Sequence, residues 1–319
     1  MNYVKLIAPA KINLVLAVGQ KLPDGYHEAH TILHALALHD TIEIRRTTLA
    51  MDPLFGGPAA EQPTDNEGGL SIRITCEATN GVDALDIPAE ENIVYKAAMR
   101  LAERFERTGA EHLDIAIEKK IPHEAGLGGG SSDAAATLKG LALLWDISLD
   151  HPALVEVAAG LGADVPFFLY GGCVYLDNKG EHFVHALEPR KGFLTLVRPE
   201  GAGVSTKEAY QRFDEDPEFP TANYLAQIAA IEDAVAVEPW NNLTPAALKI
   251  KPELQEVFTL LGEQVGASSV VLCGSGSAVA ALCESYEAAS ALSLEALKNG
   301  WFARVTSFAS IGAEVLKSF

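Results

Sequence analysis

The sequence of 319 residues lacks long hydrophobic runs and has few cysteines. No apolar stretch approaches the roughly 18 residues that a helix needs to cross a bilayer, which argues against a membrane-spanning helix. The apolar residues 12–18 are too few for a secretion signal and include a polar asparagine. The four cysteines contain no C-x-x-C pair and are too sparse for a disulfide scaffold. We therefore expect mostly buried free thiols and a cytoplasmic protein.

Positive charge is also scarce. The chain has 24 Lys and Arg against 43 Asp and Glu, which gives a formal net charge of −19. Such a field repels the phosphates of nucleic acids and of anionic membranes, so we expect neither as a main partner. A small phosphorylated substrate stays compatible with this charge, because a binding site can be locally positive. A monomer or a weak homodimer is expected.

Apolar residues are plentiful, at 48% of the chain, which is enough to build packed cores. The length corresponds to about two domains at roughly 150 residues each. Proline and glycine in residues 189–192 suggest a boundary, so we predict domains at 1–189 and 190–319. Both halves mix helical and strand patterns, which predicts an α+β protein.

Local patterns predict the individual elements. Residues 31–38 and 41–46 predict two strands with a turn at His39 and Asp40. Asn92 is the expected N-cap of a helix over 93–107. Proline and glycine in residues 49–69 predict a loop insertion. The other predicted strands are 12–18, 70–76, 113–118, 193–197, 270–273, 278–283 and 303–308, and the other predicted helices are 132–145, 205–213, 222–236, 252–264 and 286–298.

The most specific feature is a glycine-rich segment between a predicted strand and a predicted helix. Four of the five residues 126–130 are glycines, and Ser131 and Ser132 follow them. Glycines let the backbone approach a ligand closely, and the helix start adds the positive end of its dipole. The segment therefore predicts a site for a di- or triphosphate. It is not a Walker A loop, because no lysine follows the glycines, and it fits a dinucleotide fingerprint poorly.

This segment resembles the second motif of the GHMP kinases, named for galactokinase, homoserine, mevalonate and phosphomevalonate kinases. Residues 8–14 (Ala-Pro-Ala-Lys-Ile-Asn-Leu) resemble the first motif of the family, and residues 272–279 its glycine-rich C-terminal motif. Residues 23–27 and 162–166 narrow the resemblance to one branch. That branch acts on a cytidine-diphosphate-linked methylerythritol in non-mevalonate isoprenoid synthesis. The likeness covers essentially the whole chain.

The resemblance implies a fold and a reaction. The fold is the two-domain GHMP kinase fold, with an N-terminal domain like domain 2 of ribosomal protein S5, a ferredoxin-like C-terminal domain and a cleft between them. The reaction is ATP-dependent transfer of the γ-phosphoryl group to the tertiary hydroxyl of a small-molecule acceptor. Mg²⁺ is expected to arrive with ATP, and Ser131 and Ser132 are its candidate protein ligands.

The resemblance also implies two catalytic residues, Lys11 and Asp164, which it brings together in the cleft. Asp164 would accept the proton of the acceptor hydroxyl. Lys11 would keep that carboxylate ionised, polarise the hydroxyl and steady charge on the transferred group. Read without the family, Lys11 is equally an exposed lysine at a strand end, and Asp164 is equally a residue that starts a helix or turn.

Further residues are assigned to the two ligands. An aromatic ring can stack on a pyrimidine and a histidine can hydrogen-bond its edge, so the resemblance assigns Tyr26 and His27 to the cytosine. The full set expected to bind the acceptor is Asn13, Tyr26, His27, Gly274, Ser275 and Gly276. The full set expected to bind ATP is Pro122, His123, Glu124, Ala125, Gly126, Leu127, Gly128, Gly129, Gly130, Ser131 and Ser132.

Two positions depart from the family pattern. His123 and Glu124 stand where small or apolar residues are expected, and a carboxylate beside a triphosphate would repel it. Glu124 is therefore expected to point to solvent. Three alternatives stay open: a GHMP kinase with another alcohol acceptor, a nucleotide-binding regulator without catalysis, and an oxidoreductase that uses the glycine segment for a dinucleotide.

Overall fold

The computed structural model describes residues 1–48, 69–79, 81–82, 87–107, 109–201 and 203–319. The predicted insertion at 49–69 lies outside the described residues except for Gly69. The strands are β1 (Tyr3–Lys21), β2 (His27–Thr48), β3 (Leu70–Ala78), β4 (Glu111–Lys119), β5 (Cys173–Asp177), β6 (His182–Leu187), β7 (Phe193–Arg198), β8 (Trp240–Asn241), β9 (Val270–Leu272), β10 (Val279–Cys283), β11 (Phe302–Ser307) and β12 (Glu314–Ser318). The helices are α1 (Ile93–Arg104), α2 (Gly129–Leu144), α3 (Pro152–Leu161), α4 (Val165–Tyr170), α5 (Thr206–Glu215), α6 (Ala222–Ala229), α7 (Thr244–Ile250), α8 (Leu254–Val265) and α9 (Tyr286–Lys298).

In the part of the chain that the structure describes, the strands form two sheets. The first has the order β12-β1-β2-β4-β3, with β5 and β6 continuing from β2 and β8 pairing with β1. The second is antiparallel, with the order β11-β7-β10-β9. Strands β8 and β12 come from the second half of the sequence and join the first sheet. A division of the chain at residues 189/190 stays a prediction.

Among the described residues, four apolar clusters hold these layers together, the smallest of them between β1, α5 and α7. One lies between the first sheet and helices α1–α4, and another packs α7–α9 on the second sheet. The third joins the sheets, because Ile12 and Leu14 of β1 pack in one cluster with Leu194 and Leu196 of β7. Burying apolar surface on both sides of β1 fixes this strand between the two halves of the molecule. Strand β1 carries the first motif into that position.

Most predicted elements are present, with shifted ends. Asn92 caps α1 as expected, its side chain accepting a hydrogen bond from the Val94 backbone N–H. Helix α2 begins at Gly129, three residues before the predicted start, because Gly128 adopts a left-handed conformation that starts the helix there. Helix α6 ends at Ala229 instead of 236, since a separate 3-10 turn capped by Asp233 follows. Helices α3, α4 and α7 were not predicted; each has a proline in its first turn.

The predicted turn at His39 and Asp40 is wrong. Strand β2 runs without a break from His27 to Thr48, pairing along almost all of β1. A register shift between Pro9 and Lys11 forms a bulge in the pairing of β1 with β2. The two strands therefore bend at this point and stay paired. Asp40 is fully buried in the strand and accepts hydrogen bonds from the backbone N–H groups of Lys120 and Ile121.

The cysteines are free thiols. Cys173 and Cys273 are buried, and burial raises the pKa of each to about 12. Cys76 and Cys283 are only partly buried. All four therefore behave as small apolar side chains at neutral pH.

His34 is a buried neutral histidine that joins β2 to the segment before β7. Its Nδ1 lies 2.9 Å from the Ala35 carbonyl oxygen, and its Nε2 accepts a hydrogen bond of 2.9 Å from the Arg190 backbone N–H. Burial lowers the pKa of His34 from 6.5 to about 4. The ring therefore stays uncharged in the folded protein at neutral pH.

Protonation of His34 is expected to destabilise the fold in mild acid. The unfolded chain takes up this proton near pH 6.5, and the folded chain takes it up only near pH 4. The neutral His34 ring therefore contributes about 3 kcal/mol to the free energy of unfolding. This contribution is complete above about pH 6.5 and is lost as the pH falls to about 4. Urea unfolding at pH 7 and pH 5 should show a smaller loss of stability for His34→Gln than for wild type. His182→Gln is the control, since that side chain is exposed; a wild-type pH response in His34→Gln contradicts the assignment.

Candidate active site

Two cavities meet at the glycine-rich segment. Cavity A, of about 370 Å³, lies between that segment, the start of α1 and Cys76 of β3. Cavity B, of about 350 Å³, lies between β1, the start of α4, α5 and the turn that follows β9. Gly126, Gly128 and Ser131 line both cavities. A ligand in cavity A and another in cavity B would therefore approach each other across two glycines and one serine.

Close backbone packing explains the glycines of this segment. Gly126 has a φ of +74°, and a Cβ there would stand 1.8 Å from the Cys273 carbonyl oxygen. Gly128 has a φ of +71°, and its Cβ would stand 2.7 Å from the ring of Phe168. Both the left-handed backbone and the lack of space exclude other residues. The glycine-rich segment is thereby pressed against the turn at residues 273–276.

The start of α2 faces the junction of the cavities. Its N-cap, Gly128, has no side chain to satisfy the first backbone N–H groups of this sixteen-residue helix. Such unsatisfied N–H groups, together with the helix dipole, form a binding site for phosphate oxygens. Pro122, His123, Glu124 and Ala125 line cavity A ahead of the glycines. The geometry therefore fits the nucleotide phosphates expected from the sequence.

Ser131 and Ser132 have different surroundings. Ser131 lines both cavities, whereas Ser132 is fully buried and lines neither. Because α2 starts at Gly129, successive residues turn by about 100° and Ser132 points into the core. Ser131 is the serine that lines the cavities, and the assignment of ATP or Mg²⁺ to either serine stays a prediction.

Lys11 and Asp164 meet in cavity B. The Lys11 ammonium lies 3.3 Å from Asp164 Oδ2 and donates a hydrogen bond of 2.8 Å to Asn13 Oδ1. Asn13 in turn donates to Thr31 Oγ1, which donates to the Val15 carbonyl oxygen. This chain of hydrogen bonds holds the buried Lys11 side chain in one orientation. Asp164 precedes α4 without capping it, so its carboxylate is directed to Lys11.

The turn at 274–276 supplies one wall of cavity B. Gly274 and Ser275 line the cavity, whereas Gly276, with a φ of +95°, shapes the turn without lining it. Asn241 braces the turn by donating to the carbonyl oxygens of Leu272 and Gly274. Gly276, which was predicted to bind the acceptor, therefore has a structural role in this geometry.

Tyr26 and His27 border cavity B without lining it. Tyr26 is 64% exposed, and His27 is buried with its Nε2 2.6 Å from Asp214 Oδ1. The ring centroids of His27 and Tyr210 lie 5.0 Å apart. The two residues could reach a ligand that extends out of the cavity past Tyr210. Asp214 as the partner of His27 has no signal in the sequence, because 187 positions separate them.

Helix α5 supplies two residues that the sequence patterns did not identify. Thr206 and Tyr210 both line cavity B, and Thr206 Oγ1 lies 2.9 Å from Ser275 Oγ. Burial, together with the charge of Asp164, raises the pKa of the Tyr210 hydroxyl to about 12. Tyr210 therefore presents a neutral aromatic ring. Their spacing of four residues on one helix face was the available signal.

A buried cluster of charged groups lies beneath cavity A. The Lys119 ammonium forms ion pairs with Asp40 and with Asp133, the latter at 2.7 Å, and all three side chains are buried. The two carboxylates raise the pKa of Lys119 against the effect of burial. Burial raises the pKa of Asp133, with Asp40 adding to the rise and Lys119 opposing it. The cluster ties β2, β4 and α2 together directly below Gly129.

His123 and Glu124 are half exposed, and Glu124 adopts a φ of +49°. His123 Nε2 and Glu124 Oε1 lie 3.8 Å apart at the outer rim of cavity A. Glu124 is thus partly exposed to solvent and also lines cavity A, so its expected orientation away from the triphosphate stays a prediction. Its backbone carbonyl accepts a hydrogen bond from the Ser277 N–H, which links the glycine-rich segment to the start of β10.

Comparison with known proteins agrees with this geometry. The family models described as GHMP kinases N terminal domain and GHMP kinases C terminal match residues 92–172 and 225–300. A crystal structure of 4-(cytidine 5'-diphospho)-2C-methyl-D-erythritol kinase superposes with a TM-score of 0.70 at 30% identity, covering 96% of this chain and 99% of the other. A homoserine kinase from Cytophaga hutchinsonii shares the fold, with a TM-score of 0.64 at 18% identity over 99% and 98% of the chains.

The chain therefore belongs to the GHMP kinases, and its two-domain GHMP kinase fold confirms the prediction. The curated relatives narrow the family to one enzyme. The 4-diphosphocytidyl-2-C-methyl-D-erythritol kinase of Nocardia farcinica is 36% identical over 90% of this chain and 87% of its own length. That of Pelotomaculum thermopropionicum is 37% identical over 90% and 91%. Among the described residues, no helix is long and apolar enough to cross a membrane.

Proposed function

We propose that this chain transfers the γ-phosphoryl group of ATP to the tertiary 2-hydroxyl of 4-diphosphocytidyl-2-C-methyl-D-erythritol. The observation that carries the proposal is the Lys11–Asp164 pair, held in cavity B where that cavity meets the glycine-rich segment. The start of α2 supports phosphate binding from cavity A. Phosphoryl transfer needs such positioning and electrostatic stabilisation more than covalent chemistry.

The acceptor would lie in cavity B with its hydroxyl beside Asp164. Asp164 takes the hydroxyl proton as the oxygen attacks the phosphoryl group, and Lys11 stabilises the negative charge that spreads over the transferred oxygens. Asn13 and Thr31 keep the Lys11 ammonium in place during this step. The cytidine would extend outward between Tyr26 and Tyr210, since an aromatic ring can stack on a pyrimidine.

ATP is the nucleotide that the family uses, and Mg²⁺ is proposed as its companion. The donor set fits a hard cation that keeps most of its ligands from phosphate and water: Ser131 Oγ lines both cavities, and the Asp164 carboxylate lies in cavity B. When bound, the ion neutralises charge on the β- and γ-phosphates. We also propose that the protein is cytoplasmic and that it is a monomer or a weak homodimer.

The proposal predicts acceptor specificity. ADP release from Mg-ATP should occur with 4-diphosphocytidyl-2-C-methyl-D-erythritol and stay at background with mevalonate, homoserine and galactose. Of these four alcohols, only the first has a pyrimidine that can stack on the aromatic rim, formed by Tyr26 and Tyr210. Turnover with one of the other alcohols would support kinase activity but contradict the proposed acceptor. Binding of ATP without any turnover would instead indicate a regulator.

A further inference from the structure

The positive charge of cavity B is carried by two lysines among the described residues that line it, Lys11 and Lys179. Lys11 already faces Asp164 and Asn13 at the end of the cavity next to the glycine-rich segment. Lys179 lies in the turn between β5 and β6, beside Ala29 of β2. An acceptor with a diphosphate carries a negative charge on each phosphate, which the acidic Asp164 and the overall negative field disfavour. Lys179 is therefore the available cation for that part of the ligand.

The backbone around Lys179 is fixed while its ammonium is accessible. The Lys179 N–H donates to Glu181 Oε2 at 2.8 Å, and the carbonyl oxygen of Asn178 accepts from the Ala29 N–H. Its ammonium pairs with Asp24, in the turn between β1 and β2, and lies 5.2 Å from the ring centroid of Tyr26. Asp24 is about half exposed. Such an exposed ion pair contributes little to stability, so a competing phosphate can replace the carboxylate at small cost.

We propose that Lys179 binds a phosphate of the acceptor's diphosphate and releases Asp24 when the acceptor enters cavity B. This inference rests on the proposed function, since it takes the acceptor to be a cytidine diphosphate ester. The position fits: the Lys179 ammonium lies between the aromatic rim, where the base would stack, and the interior of the cavity, where the hydroxyl would react. Lys179 thus contributes to substrate specificity. In the free enzyme, Asp24 occupies the position that the phosphate takes when the acceptor binds.

Two substitutions of opposite sign test the proposal. Lys179→Met should raise the KM for the acceptor about tenfold, the size expected when one charged hydrogen bond is lost. The kcat and the KM for ATP should change less than twofold. Asp24→Asn should lower the KM for the acceptor severalfold, because the competing carboxylate is gone. A merely structural ion pair would instead move both variants in the same direction, and that result overturns the proposal.

A binding measurement separates the phosphate contact from the base contact. By calorimetry, Lys179→Met should weaken CDP about tenfold and leave cytidine unchanged. Lys298→Met is the matched control, because Lys298 forms an exposed ion pair with Glu295 on α9, which contributes no residue to either cavity. Equal loss of CDP and cytidine, or unchanged CDP binding, contradicts the role of Lys179. If wild-type enzyme fails to phosphorylate the acceptor, the proposed function fails, whereas active wild type with an unaltered Lys179→Met variant rejects only this inference.

Discussion

Replacing Asp164 by asparagine is expected to lower kcat by about 10²- to 10⁴-fold, the usual contribution of a positioned general base. The amide keeps the size and much of the polarity of the side chain but cannot take the acceptor proton at neutral pH. Lys11 would also lose the anion that lies 3.3 Å from its ammonium. Because both ligands still fit their cavities, the KM values for ATP and for the acceptor should change much less than kcat.

Steady-state ADP release, together with nucleotide binding by calorimetry, measures this effect. Asp216→Asn is the matched control, since that carboxylate is exposed and pairs with Lys249 at the surface. A loose transition state needs little help from a base, so a fall in kcat of less than about tenfold would show that neither proton acceptance by Asp164 nor its negative charge is needed for the transfer. The folded state should survive the change, because Asp164 makes no capping hydrogen bond to α4.

The residues identified from the sequence are those whose role depends on local backbone. Gly126 and Gly128 had a clear signal because left-handed glycines beside a helix start have few other uses. Lys11 was identified only through the resemblance of its motif to the family, and Asn13 was then expected on the same side of the strand, since side chains alternate with a period of two; both line cavity B. The two glycines needed no knowledge of how distant segments pack, whereas the role of Lys11 depends on Asp164 and came from the resemblance.

Residues whose role depends on packing were missed or misplaced. Asp40 was predicted to lie in a turn, since nothing in the neighbouring sequence indicates a contact with Lys119, which lies 79 positions later. Tyr210 lies on a helix whose apolar face could have packed on any core. Ser132 lies one residue of helix rotation away from the cavities, because the start of α2 depends on the conformation of Gly128. For Asp40 and Tyr210 the deciding contacts are long-range.

The cluster of Lys119, Asp40 and Asp133 leads to the largest expected effect on stability. Lys119→Met removes the only cation of this cluster and leaves two buried carboxylates beside each other. Breaking a buried ion pair by removing one partner costs about 3–5 kcal/mol, because the remaining charge has lost its compensation. Urea unfolding at pH 7 should show a loss of this size, read from the midpoint at an unchanged slope.

The matched control and a second variant keep that prediction sharp. Lys120→Met removes the neighbouring lysine, whose partly exposed pair with Glu118 should contribute less than about 1 kcal/mol. Adding Asp133→Asn to Lys119→Met removes one of the two uncompensated charges, so the double variant should recover part of the loss. If Lys119→Met and Lys120→Met destabilise equally, the cluster does not carry the stability assigned to it.

The pH dependence of Lys119→Met distinguishes lost charge compensation from lost packing. Without the ammonium, folding raises the pKa of the remaining carboxylates above their unfolded values, because burial and mutual repulsion both favour the protonated form. The penalty is therefore fully present at high pH and relieved as the pH falls, so the stability gap to wild type should narrow between pH 7 and pH 5. A stability gap that stays constant would indicate a packing defect.

Since the cluster lies directly below Gly129, the same variant should also weaken ATP binding. This effect would connect the buried charges of the fold to the start of α2, which faces the phosphates.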